Sequence, residues 1–148
     1  MIINGLALVF QAPIKNMLRE KVAHNGVTHG LTECGYDIRI KQDVYLSSSY
    51  KFILASSIEE FQMPNHLMAV VHDKSSWARR GLSVFNSCIE PGWNGFLTLE
   101  LVYHGNDDLF IPAGSGIAQV IFHDILEPAS YKGRYNNQPD RPVSAINS

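Results

Sequence analysis

The sequence predicts a mainly β protein, a barrel or jelly roll with one short helix near the N-terminus. Short apolar or alternating segments recur at intervals of roughly 8–12 residues, which is typical of all-β folds. Gly- and Pro-containing turn signals separate them, and helical periodicity is confined to one early segment. A chain of 148 residues is the usual size of one domain, so we expect a single domain over residues 1–148.

The N-terminal segment is read as two elements. Residues 2–10 form an apolar run with no basic residues before it and no small-residue cleavage site after it. Because a membrane helix needs about 20 apolar residues, we interpret the run as the first buried element of a cytoplasmic protein. Ile14, Leu18 and Val22 then recur every four residues, which predicts a helix over 14–22.

The remainder is read as a Gly-rich loop, a series of strands and a polar tail. Residues 23–34 predict the loop, and the run at 67–71 predicts a strand buried on both faces because it is continuously apolar. The tail from Ser130 reads as an arm that is ordered only if another part of the protein holds it. Strands are predicted at 36–40, 44–46, 51–55, 67–71, 81–85, 96–103 and 117–122.

Composition excludes some classes of function. The formal net charge of −2 argues against a broad nucleic-acid-binding surface, which normally needs a basic excess. A small anionic ligand needs only a few well-placed cations. Cys34 and Cys88 are far apart and form no CxxC pair, which indicates buried, reduced thiols.

A dense group of hydrogen-bond donors follows the run at 67–71. Lys74, Ser75, Ser76 and Arg79 lie within six residues of one another. Ammonium, hydroxyl and guanidinium groups all donate to phosphate oxygens, and Arg does so bidentately. The alternative is a solvated basic turn or short helix.

A carboxylate interrupts a leucine-rich strand. Alternation places Phe96, Thr98 and Glu100 on one face of the segment 96–101 and its leucines on the other. A carboxylate among apolar residues is costly unless it is paired, and such groups often titrate with a raised pKa at catalytic sites. The alternative is that Glu100 points to solvent on the outer face.

The tail interleaves aromatic and cationic residues. The segment YKGRYNNQ at 131–138 contains Tyr131, Arg134, Tyr135 and Gln138. Such a segment either closes over a nucleotide by stacking and charge or is a disordered end.

Together these segments resemble the dCTP deaminase family, relatives of the trimeric dUTPases. The resemblance runs in order from residue 34 to residue 138. The matching segments are CGYDIR at 34–39, KSSWARRGL at 74–82, IEPGW at 89–93, LTLEL at 97–101, IAQ at 117–119 and YKGRYNNQ at 131–138. It implies a distorted jelly-roll β-barrel of the trimeric dUTPase type, which forms homotrimers with active sites at subunit boundaries.

The resemblance also implies roles for single residues. Glu100 is similar to the family's catalytic carboxylate, which activates water for attack on C4 of cytosine and passes the proton to the leaving ammonia. Ser75 and Arg79 match the residues that support that water and the base, and Lys74 and Ser76 match residues on phosphate oxygens.

The implied substrate-binding residues lie in two further segments. Glu90 stands where the family usually has Asp beside the deoxyribose, and Arg134 where Lys is common. The segment 82–88 is shorter than in some deaminases, which affects the expected base-facing role of Asn86. The full implied set is Lys74, Ser76, Asn86, Glu90, Tyr131, Arg134, Tyr135 and Gln138, with residues 130–148 as an arm that closes over the nucleotide.

The implied activity is hydrolysis of dCTP to dUTP and ammonia, with Mg²⁺ carried on the triphosphate and no zinc. Zinc deaminases need a His/Cys-x-Glu motif and a Pro-Cys-x-x-Cys partner, which two isolated cysteines cannot supply. One alternative is a dUTP pyrophosphatase or a bifunctional enzyme that forms dUMP, although the Gly-rich C-terminal motif of dUTPases is missing. Another is a non-enzymatic nucleotide-binding module.

Overall fold

Strands dominate the structure, a computed structural model that describes residues 1–147. The two helices are short: α1 spans Gly5–Gln11 and α2 spans Ser75–Ala78. The strands are β1 Ile2–Ile3, β2 Lys21–His24, β3 Val27–Leu31, β4 Tyr36–Arg39, β5 Val44–Leu46, β6 Phe52–Gln62, β7 Leu67–Asp73, β8 Leu82–Val84, β9 Cys88–Ile89, β10 Asn94–Tyr103, β11 Leu109–Ile111 and β12 Gly116–Asp124. The prediction of a mainly β protein is confirmed.

The strands form two larger sheets and one small ribbon, all with antiparallel pairing. The first sheet has the order β2-β3-β4-β12-β7-β9, and β1 adds to β12. The second has the order β6-β10-β8, and β5 pairs with β11 in the ribbon. Because β8 and β9 belong to different sheets, the chain crosses from one sheet to the other between Val84 and Cys88.

One core joins the two larger sheets. Leu99 and Leu101 of β10 and Leu67 and Phe122 of the first sheet are fully buried within one cluster. Burial of such a side chain contributes about 1.5–3 kcal/mol relative to exposure. The alternation over 96–101 and the apolar run at 67–71 therefore identified residues that join the sheets.

The prediction of a helix over 14–22 is wrong. The helix is α1, and its C-cap residue Ala12 adopts a left-handed conformation directly before Pro13. Asn16 also has a positive φ of 57°, which interrupts the predicted helix near its start. Ile14 is buried and forms a bridge to Phe61 of β6, so its spacing reflects core packing and not a helix.

The loop predicted over 23–34 is largely a hairpin of β2 and β3. The connecting residues Asn25 and Gly26 both have positive φ, 53° and 75°, as a two-residue type I′ turn requires. The Asn-Gly dipeptide is a strong hairpin signal in a sequence, and it outweighs the glycine content that indicated a loop.

Three predictions about burial are also corrected. In the run at 2–10 only Leu8 is buried, while Phe10 is 89% exposed. Strand β7 is buried on one face and half-buried on the other, as its alternating burial shows. Cys34 and Cys88 are both free thiols, and they are exposed and not buried.

No helix within residues 1–147 is long and apolar enough to cross a membrane.

Candidate active site

A cleft of about 630 Å³ lies beside the second sheet and contains several of the predicted site residues. Its walls come from β6, β10, the crossing segment 85–87, the residues 88–93 that follow it, the tail, and Val71 of β7. The lining residues are Phe52, Leu54, Val71, Phe85, Asn86, Ser87, Cys88, Ile89, Glu90, Trp93, Leu97, Thr98, Glu100, Tyr131, Tyr135, Gln138, Val143 and Ala145. A cleft of this volume, mostly apolar with a few polar groups, has the size and character of a small-molecule site.

Glu100 projects into this cleft from the middle of β10. Its neighbours Leu99 and Leu101 are buried on the opposite face of the strand, so alternation turns the carboxylate toward the cleft. The side chain stays in contact with solvent, but the surrounding walls remove part of its hydration. This desolvation raises the pKa of Glu100 above its ordinary value, as the ionised form loses more than the neutral form.

A β-bulge changes the faces predicted for the start of β10. The register of β10 against β6 shifts between Phe96 and Thr98. Leu97 therefore lines the cleft together with Thr98 and Glu100, and Phe96 lines a separate depression with Arg39. The prediction that Leu97 shares a face with the other leucines is wrong, because the regular pairing is interrupted at Leu97. There β10 advances two residues, from Phe96 to Thr98, while β6 advances four, from Glu60 to Ser56.

Six of the residues predicted to act on a substrate line the cleft: Asn86, Glu90, Glu100, Tyr131, Tyr135 and Gln138. Arg134 is exposed and does not line it, and its guanidinium donates to the carbonyl of Ile146 at 2.6 Å. A single chain therefore places a candidate catalytic carboxylate in the same cleft as side chains that can bind a sugar and a base.

The second group of predicted residues lies elsewhere in the chain. Ser75 and Ser76 on α2 and Arg79 directly after it are exposed, and none of them lines the cleft. Lys74, at the start of α2, donates to the Asp37 carboxylate and to the Thr28 hydroxyl. A single chain therefore does not bring these donors to Glu100.

Helix α2 is held firmly in its place. Its buried Trp77 donates from Nε1 to the carbonyl of Gly116 at 2.7 Å. The Lys74–Asp37 ion pair anchors the start of the helix to β4. Because both contacts attach α2 to the first sheet, its exposed donors are held in a fixed position and face solvent.

Beyond Ser130, the tail is ordered by hydrogen bonds to the segment 91–98. The amide of Tyr131 donates to the Pro91 carbonyl, and the amide of Phe96 donates to the Gln138 carbonyl. Gly95 allows this approach, since a Cβ there would lie 2.4 Å from the Gln138 nitrogen and its φ is 131°. The interpretation as a disordered end is therefore wrong for the described residues.

Thr98 fastens the tail to the floor of the cleft. Its hydroxyl donates to Gln138 Oε1 at 3.1 Å and accepts from the amide of Val143 at 3.1 Å. Sequence reasoning assigned Thr98 only to a strand face, because its two partners are 40 and 45 residues away. The apolar lining residues Phe52, Leu54 and Phe85 were missed for the same reason, since they come from separate segments.

We expect Thr98→Val to loosen the tail while leaving the barrel folded. Valine keeps the branched shape but removes the hydroxyl, so the bonds to Gln138 and Val143 are both lost. Each such bond is worth about 0.5–1.5 kcal/mol, so tryptic cleavage in the tail at Arg134, which precedes Tyr135, should accelerate about tenfold. Thr98→Ser, which keeps the hydroxyl, is the matched control, and equal cleavage of the two variants would contradict this role.

Within the described residues, no three His, Cys, Asp or Glu side chains are grouped so that they could hold a metal ion. The cleft itself contains two carboxylates, Glu90 and Glu100.

The architecture matches that of solved dUTPase structures. The EIAV dUTPase aligns with a TM-score of 0.58 at 19% identity over 86% of this chain and 95% of that chain. A mutant dUTPase from phage phi11 of S. aureus aligns with a TM-score of 0.59 at 15% identity over 81% and 92%. These likenesses define the class by its fold, a dUTPase-like jelly roll, and confirm the predicted fold class.

Sequence comparisons define the family within that class. The dCTP deaminase of Campylobacter curvus is 31% identical over 161 aligned positions, covering 86% of this chain and 87% of that protein. The dCTP deaminase of Herpetosiphon aurantiacus is 32% identical over 145 positions, covering 76% and 79%. The model of the dCTP deaminase-like family matches residues 13–125. The chain belongs to the dCTP deaminase-like family.

Proposed function

We propose that this protein hydrolyses dCTP to dUTP and ammonia without zinc. The observation that carries this proposal is the placement of Glu100, a carboxylate with a raised pKa, in a largely apolar cleft of about 630 Å³. A general base works best when its pKa lies near the operating pH, and desolvation moves Glu100 in that direction.

The chemistry needs one group that first takes and then gives a proton. The Glu100 carboxylate removes a proton from water as the water oxygen bonds to C4 of cytosine. It then returns that proton to the amino group as the C4–N bond breaks, and the proton left on the C4 hydroxyl moves to N3, so that dCTP and H₂O give dUTP and NH₃. Such a positioned acid–base group is worth about 10²–10⁴-fold in rate.

The donors on α2 are proposed to act on a neighbouring chain. Ser75 and Arg79 would support the attacking water and the base, and Lys74 and Ser76 would bind phosphate oxygens. The two serines and Arg79 are exposed and do not line the cleft of their own chain. A homotrimer in which each α2 meets the cleft of the next chain satisfies this arrangement, because heterologous contacts close into rings.

The tail and Glu90 are proposed to bind the rest of the nucleotide. Tyr131 and Tyr135 line the cleft with Gln138, so residues 130–148 form the arm over the substrate. Glu90 would contact the deoxyribose, with its carboxylate displaced by about one bond because Glu is longer than Asp. Arg134 would exchange its bond to the Ile146 carbonyl for a phosphate oxygen, a stronger charge-assisted partner.

Magnesium is proposed to bind through the triphosphate of the substrate. Mg²⁺ prefers oxygen ligands, keeps several waters and is commonly held by phosphates with one or two carboxylates. The ion would neutralise phosphate charge and orient the triphosphate.

A bifunctional enzyme or a dUTP pyrophosphatase is the second candidate, because the fold neighbours include a mutant dUTPase of Staphylococcus bacteriophage 80alpha with dUpNHpp. The decisive assay incubates the protein with dCTP and Mg²⁺ and resolves dUTP, dUMP, ammonia and pyrophosphate. We expect dUTP and ammonia in equal amounts. Formation of dUMP and pyrophosphate would establish the second candidate, and dCTP binding without turnover would establish a non-enzymatic module.

Zinc removal is expected to leave activity intact. Dialysis against a zinc chelator, followed by Mg²⁺, should restore the full rate of ammonia release, because the proposed base is a carboxylate and not a metal-bound water. Recovery that required added Zn²⁺ would contradict the mechanism. Metal content measured before and after dialysis provides the control.

A further inference from the structure

The side chain of Asn86 occupies the place of a missing strand residue beside Glu100. Strand β8 pairs with β10 through Val84 opposite Leu101, and the amide of Phe85 still donates to the Glu100 carbonyl at 2.9 Å. After Phe85 the chain leaves for β9, which pairs with β7 in the other sheet. The backbone of β10 at Glu100 and Thr98 would therefore face the cleft without a strand partner.

The Asn86 carboxamide fills both of these positions. Its Oδ1 accepts from the Glu100 amide at 2.9 Å, and its Nδ2 donates to the Thr98 carbonyl at 2.7 Å. In an antiparallel sheet the N–H and C=O groups of every second residue point to the same neighbour. The carboxamide thus continues the ladder by one donor and one acceptor, on the two residues that a strand would bind. We call this pair of bonds the Asn86 clamp.

The orientation of this carboxamide is determined by its partners. Rotation by 180° would set the Nδ2 donors against the Glu100 N–H and set Oδ1 against the Thr98 carbonyl oxygen. Only one orientation makes both bonds. Asn86 is half-buried and belongs to the crossing segment, whose start is fixed by a 2.6 Å bond from the Val84 amide to Asp73 Oδ1.

We infer that Asn86 is a positioning residue, which sets the place of the Glu100 carboxylate through the backbone on either side of it. This inference rests on the proposed function, and it differs from the base-facing role expected for Asn86. The clamp uses one amide hydrogen and one lone pair of the side chain. It occupies the Glu100 N–H and the Thr98 carbonyl, to which water would otherwise bind. A displacement of about 1 Å at a reacting group can cost 10²-fold in rate, so this restraint acts on the chemical step.

The test compares Asn86→Ala with wild type and with Ser83→Ala. The control removes a side-chain bond to His104 on the same strand pair but outside the cleft. We expect Asn86→Ala to lower kcat at least tenfold and to change KM by no more than about threefold. The variant displaces the Glu100 carboxylate but removes no group that binds dCTP. Ser83→Ala should keep both constants. A raised KM with unchanged kcat would overturn the inference in favour of direct contact with the base.

A second readout keeps this inference separate from the proposed function. Hydrogen exchange of the Glu100 amide should accelerate at least tenfold in Asn86→Ala, because that amide loses its acceptor, while Tm falls by no more than about 2–4 °C. Exchange of the Glu100 amide should not change in Ser83→Ala. If wild type does not release ammonia from dCTP, the proposed function fails while the exchange result still tests the clamp. Unchanged exchange at Glu100 would overturn the inference whatever the activity.

Discussion

Glu100→Gln is expected to lower the rate of dCTP deamination by about 10² or more, because the amide cannot take a proton from water. Glutamine keeps the size of the side chain and its place on β10, so dCTP should bind with nearly unchanged affinity. Single-turnover measurement of ammonia, together with nucleotide binding by calorimetry, checks both parts. A kcat near that of wild type would remove Glu100 as the base.

The same residue determines the expected pH dependence. The carboxylate must be ionised to act as a base, and desolvation raises its pKa. Activity should therefore fall as the pH decreases through a value above that of an ordinary glutamate, and this acid limb should disappear from the residual rate of Glu100→Gln.

The effect of Glu100→Gln on folding has a definite sign. The pKa of Glu100 is raised in the folded state because the ionised carboxylate is solvated less well there than in the unfolded chain. At pH values above the unfolded-state pKa, this difference lowers the free energy of unfolding. The variant should then have an equal or higher Tm at pH 7 than wild type. A large fall in Tm would show that loss of activity came from unfolding and not from the missing base.

Two inactive variants are expected to restore activity when their chains are mixed. Arg79→Ala removes the guanidinium directly after α2, and Glu100→Gln removes the proposed base in the cleft. If each site joins the cleft of one chain to α2 of the next, random mixing leaves about a quarter of the sites with both groups intact. Co-refolding equal amounts and measuring ammonia release tests this number.

The matched control mixes Glu100→Gln with Glu100→Ala. Both defects then lie on the cleft side of every site, so no combination of chains is active. Light scattering of the wild-type protein at micromolar concentration should give the mass of three chains. A monomeric mass, or a mixture no more active than the control, would contradict the shared site.

Local pattern was sufficient for the fold class and for the catalytic carboxylate candidate. Alternation over 96–101 identified the buried leucines at 99 and 101 and placed Glu100 on the other face, because side chains in a strand alternate whatever the strand pairs with. The same reasoning located β4, β5 and β12 closely. Residue order along the chain also carried the family resemblance, which the comparisons with known dCTP deaminases confirm.

Tertiary structure decided everything that depends on which strands meet. The four-residue spacing of Ile14, Leu18 and Val22 predicted a helix, but the structure has a bridge from Ile14 to Phe61, a turn at Asn16 and the start of β2. The irregular pairing of β10 with β6 at Leu97 places that side chain in the cleft, and such a register shift depends on the partner strand.

The Asn86 clamp and the attachment of the tail by Thr98 likewise join residues that are distant in the chain. Local propensity cannot determine such contacts, because their free energy is gained only after both segments have been brought together by the rest of the fold. The sequence by itself determined the class of fold and the residue types available for chemistry. The packed sheets determined which of them share the cleft and which face outward on α2.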